Sequence, residues 1–231
     1  MEKRTYYTAI GHFRRKTDEQ GRSYPVILVN HQEYPVDIQE MTLWAALSWR
    51  LLDFRQLQDK YDQLTESGTP PAKRTLETCL NRLQTRGLVA SGSGETDFDA
   101  IYDLLGSLYV VPLSESLSLR LLTFLKLTVL QGVPYARAKQ IFRKDKPNQR
   151  EAQVMALSRQ ALLSTAELIK CVEVGVSDIS SDEKLLDALY SDTDTTSDNI
   201  GDMMRGARYQ VPVTMAVANL YLRKQIILER V

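Results

Sequence analysis

Between Asp37 and Gly87 the chain is punctuated so often that only a set of short helices fits. Asp37 followed by Glu40 is a D-x-x-E capping pattern, in which a side chain satisfies the free amides at a helix start. Met41, Leu43, Trp44, Leu47, Leu51 and Leu52 then recur at helical spacing. Asp53 can cap a second helix, "FRQLQDKYDQL", in which Phe54, Leu57, Tyr61 and Leu64 share one apolar face. "TESGTPP" breaks the chain, and Pro70 and Pro71 suit a loop or a first helical turn. A third helix is expected through Leu76, Cys79, Leu80 and Leu83, ending at Gly87.

The flanks differ from this helical centre. Residues 5–36 hold "TYYTAIGHF", "YPVILVN" and "YPVD" separated by polar, turn-like breaks, which predicts a small antiparallel sheet. After Gly87, "LVASGSGETDFDAIYDLL" predicts a short strand, a flexible glycine-serine tip and a short helix bearing Ile101, Leu104 and Leu105, and "LYVVPL" predicts a further strand. Beyond Pro112 the pattern is helical over 115–131, 134–144, 149–174, 181–190 and 211–229. The expected fold is therefore mainly α with a small β component, divided into residues 1–112 and a helical domain over 113–231.

The order helix, helix, proline-led helix, Gly-Leu-Val and loop resembles the winged helix-turn-helix family over about Asp37 to Pro112, with most of the likeness in "RTLETCLNRLQTRGLVASGSG". The resemblance implies that Leu76, Leu80 and Leu83 seat the third helix on the first two, and that Leu88 and Val89 start the wing strand. It also implies a DNA-binding protein, a transcriptional regulator. The outward positions are then Lys73, Arg74, Glu77, Thr78, Asn81 and Arg82. Lys73 and Arg74 could neutralise phosphates, and Thr78, Asn81 and Arg82 could contact base edges of double-stranded DNA. Glu77 would repel phosphate unless it accepts a hydrogen bond from cytosine or pairs with Arg74 or Arg82.

Lys+Arg and Asp+Glu both number 29, so any nucleic acid must be held by a local patch. One such patch is "RAKQIFRKDKPNQR", with Arg137, Arg143, Lys144 and Lys146 against the single acid Asp145; a solvated helix end and loop is the preferred reading of it. "FRRKTDEQGR" is a further basic loop. The apolar helices 149–174 and 211–231 could pair two copies into a homodimer or form an effector or partner domain. An alternative is a protein- or peptide-binding module. The hairpin "YPVILVNHQEYPVD" running into "IQEMTLWAALSWRLL" looks like the small peptide-chaperone domains of the PqqD type, which implies that edge strands accept an extended peptide.

Catalysis has no visible machinery. His12 and His31, the only histidines, have no cysteine at metal spacing, so no metal site is expected. "DTDTTSD" fails as a calcium loop because Ser197 and Met203 stand where glycine and glutamate are needed. "SGSGE" lacks the lysine of a phosphate loop, and no cofactor is expected. Cys79 and Cys171 read as reduced, buried thiols. No window approaches the roughly 20 apolar residues of a membrane span, which makes a cytoplasmic protein the expectation.

Overall fold

The computed structural model describes residues 3–65, 74–113, 147–192 and 194–230. The helices expected over 115–131 and 134–144 lie outside those residues. The N-terminal β-rich stretch does not form one sheet. It is cut at Gly11, where φ is +80° and a Cβ would lie 2.1 Å from the Leu28 carbonyl oxygen, so only glycine allows the chain to turn. On one side of the cut β1 (Arg4–Ala9) pairs antiparallel with β5 (Val89–Gly94), Arg4 opposite Gly94 and Ala9 opposite Val89. On the other, β2 (His12–Thr17), β3 (Ser23–Val29) and β4 (Gln32–Pro35) form an antiparallel meander. Its two-residue turn, Asn30 and His31, has φ of 45° and 62°, the left-handed geometry such a hairpin requires.

The three helices follow their start signals. In α1 (Ile38–Leu47), Asp37 accepts from the Glu40 backbone N–H at 2.9 Å while Glu40 accepts from that of Asp37 at 3.2 Å. Asp53 caps α2 (Phe54–Thr65) by accepting from Gln56 N–H at 2.8 Å. Thr75, rather than the prolines, caps α3 (Leu76–Thr85), and Gly87 ends it with φ +70°.

The expected wing is corrected. β5 does not turn back onto the next strand; α4 (Asp97–Leu105) intervenes, and β6 (Tyr109–Pro112) pairs instead with β7 (Leu163–Ser164) and β8 (Ile226–Glu229). The glycine-serine tract is not a flexible tip either. It is the β5 strand on which α4 lies: a Cβ at Gly92 would fall 2.1 Å from Leu104 N, and one at Gly94 2.5 Å from Ala100 N. Glycine removes the side chain that would hold helix and strand apart.

The all-α expectation for the second half also changes. The single helix expected over 149–174 is two, α5 (Gln149–Ser158) and α6 (Thr165–Val174), because Ser164 and Glu167 form a capping box that restarts the helix after β7. α7 (Asp182–Tyr190) and α8 (Ile200–Met203) follow. The last helix, α9 (Gln210–Leu222), ends early: Lys224 has φ 59° and Ile226–Glu229 becomes β8. The fold is mixed, with helices packed around small antiparallel sheets.

One buried cluster runs from Ile10, Ile27 and Leu47 through Leu104 to Val154, Val217 and Leu228. At its middle, Tyr221 of α9 accepts from Thr8 Oγ1 at 2.9 Å and from Trp49 N–H at 3.0 Å, and donates to the Ala9 carbonyl at 3.2 Å. Burial pushes this hydroxyl up to about 12, against the opposing pull of its two donors. Gly11 N–H also donates to Leu228 O at 2.8 Å, tying the first corner to the last strand. Among the described residues no helix is long and apolar enough to cross a membrane.

The close approach of α4 to β5 gives a direct test. Gly92→Ala should destabilise by about 1–3 kcal/mol or more, the cost of overpacking against backbone. Gly201→Ala in α8, where nothing lies within 4 Å, should be neutral or stabilising by up to ~1 kcal/mol; urea midpoints measure both.

Candidate functional site

Glu40 is the centre of the surface that α3 shares with α1 and β4. Its residue is 2% exposed. Burying a carboxylate is costly unless its oxygens are paired. Oε1 accepts from Arg82 Nε at 2.9 Å and lies 3.6 Å from Arg74 Nη1; Oε2 accepts from Arg86 Nη1 at 3.1 Å as well as from the Asp37 amide. Arg74 is also ion-paired with Asp37, and its carbonyl accepts from Gln39 Nε2 at 2.7 Å. Burial works to raise the Asp37 carboxyl, but the Glu40 N–H and the Arg74 guanidinium outweigh it and hold the group below its ordinary value. Arg86 reaches further, donating from Nη2 to Pro35 O at 2.5 Å and lying 6.0 Å over the Tyr34 ring.

Of the residues expected to read DNA, four lie among the described residues. Arg74 and Arg82 come together on Glu40, whereas Thr78 and Asn81 are exposed on α3 and take no part in that cluster. Thr78 is bound locally, its N–H donating to Thr75 Oγ1 at 3.2 Å. Arg74 and Arg82 pair with Asp37 and Glu40, the acids of the preceding cap. Lys73, Arg137, Arg143, Lys144 and Lys146 lie outside the described residues.

Sequence reasoning missed Glu40 as an ion-pair centre and Arg86 as its third cation. A signal existed: Arg82 and Arg86 are four residues apart at the C-terminal end of one helix and so share a face. The D-x-x-E pattern accounts for one bond of each acid, leaving carboxylate oxygens to be satisfied.

The acids after β5 hold the fold rather than a wing. Asp97 pairs with Arg4 and accepts from Tyr6 Oη at 2.8 Å, and Asp103 accepts from Ser93 N–H at 2.9 Å. On the opposite border of α1, the side chains of Pro25, Ile38, Met41, Thr42, Ala45 and Leu64 line an open depression of 280 Å³. Ile38 is 58% exposed within it.

The C-terminal helices spend most of their apolar surface inside the chain. Val213, Ala216, Val217 and Leu220 are buried, while Val211, Met215 and Leu222 form an exposed stripe on α9. The acidic loop after α7 is less exposed than its composition implies: Thr195 is buried, and Asp192 accepts from Lys170 Nζ at 2.6 Å. Among the described residues no group of three or more His, Cys, Asp or Glu side chains is placed to hold a metal ion. Cys79 and Cys171 are free and buried. Burial, with nearby carboxylates, pushes each thiol up to about 11.

Comparison of the chain with protein-family models, with curated proteins and with solved structures finds no match.

Two outcomes follow from this geometry. Glu40→Gln leaves the cap hydrogen bond possible but removes the charge from among three guanidiniums, and should destabilise by about 1–3 kcal/mol in thermal or urea unfolding, since the arginines reach into water. Both thiols should resist a maleimide at neutral pH in the folded chain and react only after denaturation, which mass spectrometry resolves site by site.

Proposed function

We propose that the part of the chain from β1 to β5 is a docking module for an extended protein or peptide segment. What carries this reading is the contrast between its two exposed faces around α1. On one, Arg74, Arg82 and Arg86 are ion-paired with Asp37 and Glu40. Phosphate-driven binding draws its affinity from cations that are not already neutralised. On the other, Ile38, Met41, Thr42 and Ala45 leave an apolar helix face open beside the meander. An apolar groove beside a sheet suits a chain partner, whose side chains fill it. The likeness of the hairpin and first helix to the PqqD type supports the same reading, since β3, β4 and α1 follow one another in that order.

DNA binding through a winged helix keeps one specific support. Arg82 is 53% exposed and is held through Nε, leaving both Nη groups without a partner among the described residues, beside Thr78 and Asn81. A guanidinium fixed in this way presents a two-pronged donor to guanine or phosphate.

Ile38→Asp separates the two. It should leave the unfolding midpoint unchanged and abolish binding of peptides that the native chain selects from a displayed random library. Random duplex should show no affinity that falls by orders of magnitude between low and moderate salt. Steeply salt-dependent duplex binding that Arg82→Ala removes would overturn the docking reading in favour of DNA.

A further inference from the structure

We infer that the outer edge of β2 takes an acidic, extended polypeptide segment as an added strand. The inference rests on the docking reading above and names its edge and the charge of its partner.

The edge is open for a reason in the covalent chemistry. Arg15 lies opposite Pro25 in the β2–β3 register. Proline has no N–H, so this pair cannot exchange two bonds, and the Pro25 carbonyl is turned the other way to accept from Val36 N–H at 3.3 Å. In an antiparallel ladder bonded and non-bonded pairs alternate. Phe13 and Thr17, two residues to either side of Arg15, are therefore in the same phase. The N–H and C=O of all three point outward from β2, and none has a partner among the described residues. Every other residue along the strand thus offers a donor and an acceptor to an incoming backbone.

The other outer edge of the meander is closed by the same alternation. Pro35 lies opposite Val26 and has no N–H to give, and its carbonyl is taken by Arg86. Only Glu33 of β4 keeps an outward donor and acceptor. A pairing chain thus finds a usable ladder on β2 and not on β4.

Charge selects the occupant. Lys16 is paired with Glu33 and Arg22 with Asp18, whereas Arg14 and Arg15 have no acidic partner among the described residues. As neighbours on a strand they project to opposite faces of the sheet. One unpaired cation on each face suits a strand carrying carboxylates on both. A second copy of β2 would bring arginine against arginine, which is the standard protection of an edge against self-pairing. A nucleic-acid backbone would meet only one of the two cations, since it runs along a single face. Phe13, 48% exposed, shares a face with Arg15 and gives an apolar residue of the incoming strand something to cover.

The test uses the full chain and a short synthetic peptide that carries glutamates in adjacent pairs separated by valine and threonine, so that both strand faces bear carboxylates, alongside its lysine counterpart, with amide exchange followed residue by residue. The acidic peptide should bind at least about tenfold more tightly than the lysine one and slow exchange at the Phe13, Arg15 and Thr17 amides. Replacing both exposed arginines, Arg14→Glu with Arg15→Glu, should reverse the preference without moving the unfolding midpoint. Peptide binding with equal affinity for both charges, or protection confined to the α1 depression or to β4, would overturn the β2 assignment while leaving a docking module in place. Absence of any peptide binding, together with steeply salt-dependent duplex binding, would overturn both.

Discussion

Burying a carboxylate inside a small helical layer is tolerable only when both its oxygens are met, and that requirement at Glu40 organises the N-terminal half. The residue is on the inner side of α1, where its capping bond to Asp37 already fixes its backbone. The remaining acceptor capacity draws in Arg82 of α3 and, from the two ends of that helix, Arg74 and Arg86, and through Arg86 the hub extends to Pro35 at the end of β4. The seating of α3 against α1 and the occupied Pro35 carbonyl at the end of β4 are then consequences of one interaction. Removing an arginine from such a cluster costs more than the pair itself is worth, because the carboxylate stays buried with less to match it.

A second constraint is steric. Gly92 and Gly94 allow α4 to lie directly on β5, and this occupies the position in which a wing would have folded back. With β5 unable to turn onto β6, its free side is completed by β1, and β6 joins β7 and β8. The N-terminal strand and the C-terminal strand are thereby drawn into one buried cluster, with Tyr221 bridging Thr8, Ala9 and Trp49.

Local signals were legible in the sequence, and long-range pairings were not. The caps at Asp37 and Asp53, the apolar faces of the second and third helices and the stop at Gly87 appear where the spacing predicts them, whereas the first helix ends at Leu47 and leaves Leu51 and Leu52 beyond it, Leu52 in a bridge to Tyr7. The glycine-serine tract was misread because the same letters serve a flexible tip and a strand that must admit a helix backbone; only the neighbour distinguishes them. Ser164 and Glu167 carried a capping pattern inside an apolar run whose helical period masked it. Arg74 and Arg82 were legible as outward cations, but their partners lie 34 to 42 positions earlier in the chain, beyond the reach of any local periodicity. The open edge of β2 is the intermediate case: Pro25 is visible in the sequence, yet its meaning depends on the residue it faces.

Whether α3 is a clamped wall or a free reading head is decided most directly by the guanidinium groups in solution. Nitrogen–proton spectra of the native chain should show a slowly exchanging Nε–H for Arg82 and separate Nη signals for Arg86, both lost in Glu40→Gln. Rapid exchange and averaged guanidinium signals in the native chain would contradict the account.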